Sequence, residues 1–263
     1  MKRLIIRISE RGMAFATDHY DTDTQVEYEP YSTRGGISAA ANLREALKTS
    51  TLLSRPYDRA DVLIDTPMLL VPLDEFQEDE APLLYAHTFP GYNQHHITHV
   101  IIAELYCVAV FAVNKDLLTV VGDHFAQHRF MPVSLPVWRH LRVQANNSQR
   151  KRLYAYFHDA QVEMFSCWQN RIRFYNTFPA TQEHDALYYL LYVWRQMGLN
   201  AETDELHIAG EPAHQDWLTE RLRQFLRNVS IINPSDDLMN APATQTAGMP
   251  YDLMTLLSTN SHD

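Results

Sequence analysis

The sequence predicts a mixed α/β fold: two lobes in tandem, each a mixed sheet with helices packed on it. Three observations carry this. The order three strands, helix, strand occurs twice, once from Arg3 and again from Arg152, and a repeated structural unit outweighs any single motif. A hairpin plus a third strand, followed by helix and strand, gives antiparallel and parallel neighbours in one sheet. The chain has 263 residues, 46% of them hydrophobic, enough for one large or two medium domains of about 100–200 residues each.

The first half opens with "RLIIRI" (Arg3–Ile8), a strand rich in branched residues, and "SERG" (Ser9–Gly12), a turn. "MAFAT" (Met13–Thr17) returns, completing a hairpin. "TQVEYEP" (Thr24–Pro30) alternates apolar and acidic residues, as a half-exposed third strand does. After Gly35–Gly36, "GISAAANLREALKT" is a helix with Ala40, Leu43 and Leu47 on one stripe. Asp61–Pro67 and Met68–Leu73 are short strands split by Pro67. "DEFQEDEAPLLY" is an acidic helix with Asp74 placed to cap it. "HVIIAEL" and "VAVFAV" are near-continuous apolar strands, so both faces of each should be covered. Asn114 caps a further helix, "RFMPVSL" is a strand, and Pro136 opens the helix "PVWRHLRVQA".

The second half holds three strands in "RLYAYFHDAQVEMFSCWQNRIRFYNTF", with turns at His158–Asp159 and Gln169–Asn170. A long helix follows. Thr181 is its expected cap, and Gly198 ends it in a left-handed turn with Leu199 packing back. Every residue from Ala186 to Val193 is apolar or aromatic, so this helix should lie on its own sheet and face a neighbouring element. "DELHIAG", a helix with Leu218, Leu222 and Phe225 on one face, and "VSII" complete the unit.

The formal charge of −10 argues against nucleic acid as a partner, which requires a positive footprint. The dense basic cluster "SQRKR" (Ser148–Arg152) reads as a solvated loop. Cys107 and Cys167 each sit in an apolar run, as buried free thiols in a reducing compartment do. Arg7, Glu10 and Arg11 interrupt the apolar start too early for a signal peptide, and no run reaches the roughly 20 apolar residues of a membrane span. A cytoplasmic protein is expected.

"VAVFAVNKDLLTVVGDHFAQHRFMPVSLPVWRHL", "LYAYFHDAQVEMFSCWQNRIRFYNTFPA" and "ELHIAGEPAHQDWLTERLRQFLRNVSIINP" together resemble the actin-like ATPase superfamily. They look like the first-lobe finish, the second-lobe meander and the second-lobe finish of its PilM and GspL branch. The chain looks like a member of a Bacteroidetes family of unknown function with this fold. The resemblance implies two ribonuclease H-like lobes, at 1–134 and 151–234, joined by a helix and loop at 135–150 and followed by a polar tail at 235–263.

Active members of that superfamily place Asp-x-Gly after the first strand of each lobe. The carboxylate serves the metal and its water, and the glycine lets backbone approach phosphate. Here Ser9, Glu10 and Gly12 stand at the first place, and His158 and Asp159 at the second. Where the family pairs glycines against adenosine, Gly210 is followed by Glu211. Every nucleotide motif is degraded. The expectation is therefore a non-catalytic, pseudo-ATPase scaffold or adaptor with no cofactor, binding another protein, with a homodimer also open. The alternatives are a nucleotide-binding ATPase with unorthodox motifs, and small-molecule binding in the cleft between lobes.

Other constellations weigh less. His124 and His128 have metal-ligand spacing on a helix, and His95, His96 and His99 cluster, but no third ligand is evident; no metal is expected. "TRGG" before a helix could hold an anion, though a helix-entry turn is the simpler reading. In the tail, "MPYDLMTLL" (Met249–Leu257) is an apolar island, read first as a short helix docked on the body and second as an amphipathic peptide offered to a partner. Should a partner be gripped through aromatic anchors, the candidates are Trp138, Trp168, Tyr251, Leu253 and Leu256.

Overall fold

The computed structural model describes residues 2–18, 26–92, 94–146 and 149–259. Thr24, Gln25 and Ser148 lie outside these. The chain divides into two compact units, residues 1–133 with 246–249, and 134–245 with 250–263.

In the first unit the strands are β1 (Arg3–Ile8), β2 (Met13–Asp18), β3 (Val26–Tyr31), β4 (Arg59–Ile64), β5 (Met68–Pro72), β6 (His96–Ile102), β7 (Cys107–Val113) and β8 (His128–Pro132). Its helices are α1 (Ala39–Thr49), α2 (Ala81–Thr88) and α3 (Lys115–His124). One sheet runs β3-β2-β1-β4-β8. The first three strands are antiparallel neighbours, while β1, β4 and β8 are parallel. A separate antiparallel sheet runs β5-β7-β6 and meets α2 through Tyr85, Val108 and Val110. This corrects the expectation for the two apolar strands: β7 is buried throughout, but β6, at the edge, is mostly half-exposed. Asp74 caps nothing; α2 is preceded by a 3-10 turn, Glu78–Glu80, and has no side-chain cap. Asn114 does cap α3, accepting from the N–H groups of Asp116 and Leu117.

The start of the main sheet carries a buried charge cluster. Asp61 is wholly inaccessible. It accepts from Arg129 Nε and Nη2 at 2.6 and 3.0 Å, while Arg3 and Arg59 stand 3.8 and 3.9 Å away. The parallel register sets Asp61 beside Arg129. Asp61 is shared by these guanidinium groups, and the partly exposed stems of Arg59 and Arg129 cover it; Arg3 also pairs with Asp18 at 2.8 Å.

The second unit contains β9 (Arg152–His158), β10 (Gln161–Trp168), β11 (Arg171–Pro179), β12 (Glu205–Gly210) and β13 (Asn228–Ile231), with α4 (Leu135–Asn146), α5 (Glu183–Gln196), α6 (Gln215–Arg223), α7 (Pro234–Asp237) and α8 (Tyr251–Thr259). Its sheet runs β11-β10-β9-β12-β13, with the same sense at every junction as the first. The period-two alternation of β9 splits the core. Leu153, Ala155 and Phe157 join Leu190, Val193, Leu218 and Leu222 of α5 and α6. Tyr154 and Tyr156 face the other way, towards Phe165 and Tyr251. The tight turns are residues 159–160 and 169–170, all four with positive φ, as two-residue hairpins need. Gln182, not Thr181, precedes α5 as its cap, without a side-chain bond. Gly198 closes the helix at φ 61, with Leu199 N–H donating to Trp194 O.

Burial pushes the Cys107 thiol up to about 12 and the Cys167 thiol up to about 11; both are free and buried. The apolar island of the tail is α8, with Tyr251, Leu253, Leu256 and Leu257 buried. Asp237 ties this region together. Its carboxylate accepts from Tyr251 OH at 2.5 Å, lies 2.7 Å from His140 Nε2 and accepts from Gln144 Nε2. Burial alone would raise its pKa, but the bonds from His140, Tyr251 and Gln144 outweigh burial and hold it below the usual carboxylate range. A depressed carboxyl contributes stability that is complete above the unfolded-state value, about 3.9, and is lost as pH falls through the lower folded value. Melting curves taken down from about pH 5 should therefore fall more gently for Asp237→Asn, which starts less stable. Parallel acid limbs for the two proteins would show that Asp237 is not the titrating tie.

Candidate functional site

In the first unit, a concavity of about 410 Å³ opens at the carboxyl ends of β1 and β4, beside the entry to α1; Ser9, Glu10, Arg34, Asp65, Tyr92 and His95 are among its lining residues. Open α/β sheets bind ligands at this end of their strands. The hairpin after β1 is closed on itself. Ser9 donates to Gly12 O from both N–H (3.0 Å) and Oγ (3.3 Å). Glu10 sits in the turn and reaches the concavity, as does Asp65 at the end of β4. Burial first, then the negative charges of Glu10 and Asp65, raise the Tyr92 hydroxyl above its ordinary value. The wall is thus acidic, with Arg34 its exposed cation.

The "TRGG" segment is built as a helix entry. Asn42 Oδ1 accepts from Arg34 N–H at 2.8 Å, and Asn42 Nδ2 donates back to Arg34 O at 3.2 Å. Ser38 caps α1. The histidines do not share a helical face: His124 Nδ1 pairs with Val120 O, whereas His128 lies in β8 with Nδ1 on Phe125 O. Helical metal-ligand spacing is not realised, because the helix ends between them.

In the second unit, Asp159 and Ala160 form the left-handed turn between β9 and β10. His158 is buried, with Nδ1 at 3.1 Å from Asp159 and Nε2 at 3.1 Å from the buried Glu163. Gly210 has φ +80, and a Cβ there would fall on the Phe157 carbonyl oxygen, 3.0 Å from its carbon. Glu211 is exposed, and its N–H donates to that same carbonyl.

Four of the five partner-binding candidates have no free surface to offer. Trp138 and Leu253 are wholly buried, and Tyr251 and Leu256 nearly so. Trp138 packs on Phe165 and Tyr175 at 5.6 and 4.6 Å. Only Trp168 of the five reaches the surface, where it lines a groove of about 490 Å³ with Lys151, Ser166, Cys167, Arg173, Phe174, Gln196, Met197 and Leu199. Lys151 belongs to the basic run read as a solvated loop, and Arg173 is not singled out in the sequence. The signal was the alternation of arginine with apolar residues along β11. Nor does α5 bury every side: Tyr188 and Tyr192 are exposed, their rings stacked 6.0 Å apart. The basic run is not simply solvated either. Arg150 and Arg152 both pair with Glu205.

No helix among the described residues is long and apolar enough to cross a membrane. Among solved structures, the chain is similar to a Bacteroides thetaiotaomicron protein with an actin-like ATPase fold and unknown function. Identity is 26% and the TM-score 0.83, over 92% of this chain and 95% of that one. It is similar to a chain of the PilM–PilN type IV pilus biogenesis complex at 11% identity and TM-score 0.64, over 100% and 99%. A weaker likeness, TM-score 0.44 at 14% identity over 79% and 82%, is to the cytoplasmic domain of EpsL, an inner membrane component of the Vibrio cholerae type II secretion system. No curated protein matches the chain. The fold is that of the actin-like ATPases, with mixed sheets in both units. Residues 1–229 match the family described as "Protein of unknown function (DUF3822)", and the chain belongs to that family.

Proposed function

We propose that this protein is an actin-fold protein that neither binds nor hydrolyses nucleotide and works by binding another protein. The observation that carries the reading is the closed turn after β1. Ser9 donates to Gly12 O from both its N–H and its hydroxyl, so donors that could meet an anion at this strand end are spent within the hairpin, and Glu10 and Asp65 line the concavity beside it. In the second unit, Asp159 is taken up by a hairpin turn and by His158, and Gly210 by contact with Phe157. Of the vestigial positions, Ser9, Gly12, His158, Asp159 and Gly210 thus have structural uses, whereas Glu10 lines the concavity and Glu211 is exposed. Similarity to the PilM–PilN chain supports a protein partner in kind, not in identity.

The test is a melting assay with millimolar Mg-ATP. A ligand at 100 times its Kd adds about 2.7 kcal/mol of stability, well within the assay's reach. No shift and no phosphate release above the blank are expected. A saturable upward shift would overturn the reading and favour the unorthodox ATPase instead.

A further inference from the structure

We propose that the groove at the C-terminal end of α5 binds a small organic carboxylate, with an apolar body of about ten carbons and one anionic head. The groove lies within the second unit and shares no lining residue with the concavity of the first. It gives the protein a small-molecule ligand, which goes beyond the reading that it binds another protein.

The groove is apolar where it is deepest and one-sided in charge. Trp168, Phe174, Met197 and Leu199 line it, all four half-buried. Its volume of about 490 Å³ falls within the range of small-molecule pockets, about 300–1,000 Å³. Lys151 and Arg173 also line it, both exposed, and among the described residues no carboxylate does. On a chain with 32 acidic residues against 22 Lys and Arg, that is the reverse of the average surface. Among the described residues neither cation makes an ion pair, whereas Arg150 and Arg152 nearby both pair with Glu205. Nor does the indole N–H of Trp168 find an acceptor among them. An apolar pocket with a few converging polar groups has the form of a ligand site. Two unspent cations and a spare donor select an anion for it.

The backbone itself places Arg173 here. Strict alternation would turn it away from Phe174, which packs on the core shared with α5. The ladder between β10 and β11 is bulged, however. Ser166 stands opposite Phe174 and Cys167 opposite Ile172, which leaves Arg173 as the extra residue. A bulge re-aims side chains, and this one brings Arg173 and Phe174 to the same groove. The groove lies on the helix-covered face, so the free backbone edge of β11 takes no part in it. The C-terminal end of α5 carries partial negative charge. The turn through Gly198 offsets it, returning the N–H groups of Met197, Gly198 and Leu199 to the carbonyls of Val193, Arg195 and Trp194. The ligand therefore sets its apolar body against Met197 and Leu199 and its head towards Lys151 and Arg173.

The test is titration calorimetry of the full-length protein with naphthalene-2-carboxylate and with decanoate. Naphthalene-2-carboxamide and 2-naphthylmethylamine serve as the neutral and cationic counterparts. Both carboxylates should bind, and should weaken as salt rises from about 50 to 500 mM. The amide should bind at least about tenfold more weakly than its acid, and the amine more weakly still. Lys151→Gln and Arg173→Gln should each weaken the carboxylates about tenfold. Neither change should alter the amide's affinity or the melting temperature, since both side chains are exposed. In nitrogen-15-labelled protein the indole signal of Trp168, assigned with Trp168→Phe, should move on saturation with either carboxylate. Equal affinity for acid and amide, no effect of either cation, or an unmoved Trp168 signal would overturn the proposal. So would no binding of either carboxylate at millimolar concentration. Binding confined to acetyl-Gly-Gly-Phe with a free C-terminus would overturn it too, and would assign the groove to the chain end of a partner protein.

Discussion

A chain ending at Met249 is expected to lose the cooperative fold of the second unit. The truncation removes α8, whose Leu253, Leu256 and Leu257 are 0–5% exposed. Burying a leucine is worth about 1.5–3 kcal/mol, so the three together contribute roughly 5–9 kcal/mol. That rivals the whole stability of a domain, about 5–15 kcal/mol. The helix also supplies Tyr251 to Asp237 and Asp252 to the buried hydroxyl of Tyr156, at 2.8 Å. Without it those groups, and the apolar face of α4, meet water. The truncated protein should melt at least about 10 °C lower or fail to remain in solution, and Leu253→Ala alone should cost about 2–5 kcal/mol. A truncated protein that melted within a degree or two of the full chain would show that α8 is an appendage.

Gly210→Ala is the second large effect. The residue sits at φ +80, and an added Cβ would overlap the Phe157 carbonyl and stand 3.1 Å from Tyr156 Cδ2. The left-handed conformation costs a non-glycine residue about 1–2 kcal/mol. Relieving the overlap means moving β9 or β12 at the centre of the sheet, so a total above about 3 kcal/mol is expected. Gly12→Ala is the control: its nearest neighbour would be Tyr31 O at 3.6 Å, an ordinary contact, and its cost should be under about 1 kcal/mol. Chemical denaturation of the two variants checks both. Equal small effects would mean that the sheet yields at Gly210. The pair also separates structure from ligand, because this glycine is required by Phe157 whether or not anything binds nearby.

Much of this was legible in the sequence where side chains act locally. The strand from Arg3 follows from branched residues and that from Arg152 from its aromatic run, the hairpins from their turn residues, and the cap of α3 from Asn114. The repeat order then fixed both sheets. What the sequence hid depends on partners distant along the chain. The three-stranded sheet of β5, β7 and β6 reads as more of the same apolar pattern, because periodicity does not report which sheet a strand joins. Asp61 looks like a strand-end polar residue until the register sets it beside Arg129. Trp138 and Trp168 are indistinguishable as letters; one is enclosed by Phe165 and Tyr175, the other stands half-buried at the end of β10, in a groove. For the same reason the carboxylates of Glu10 and Asp65 could not be placed in one concavity from residues 55 positions apart.

The docking of α8 has a kinetic consequence. The face it covers is made by α4 and by β9, which lie about a hundred residues earlier. Pairings this distant must pay for loop closure before any contact rewards them, which slows folding. Until residues 250–259 arrive, Tyr154, Tyr156 and the apolar side of α4 are open in an otherwise formed sheet. That intermediate is where association in the wrong register competes. Refolding of the second unit should therefore show a slow phase whose yield falls with protein concentration, and a synthetic 250–259 peptide supplied in trans should restore the yield.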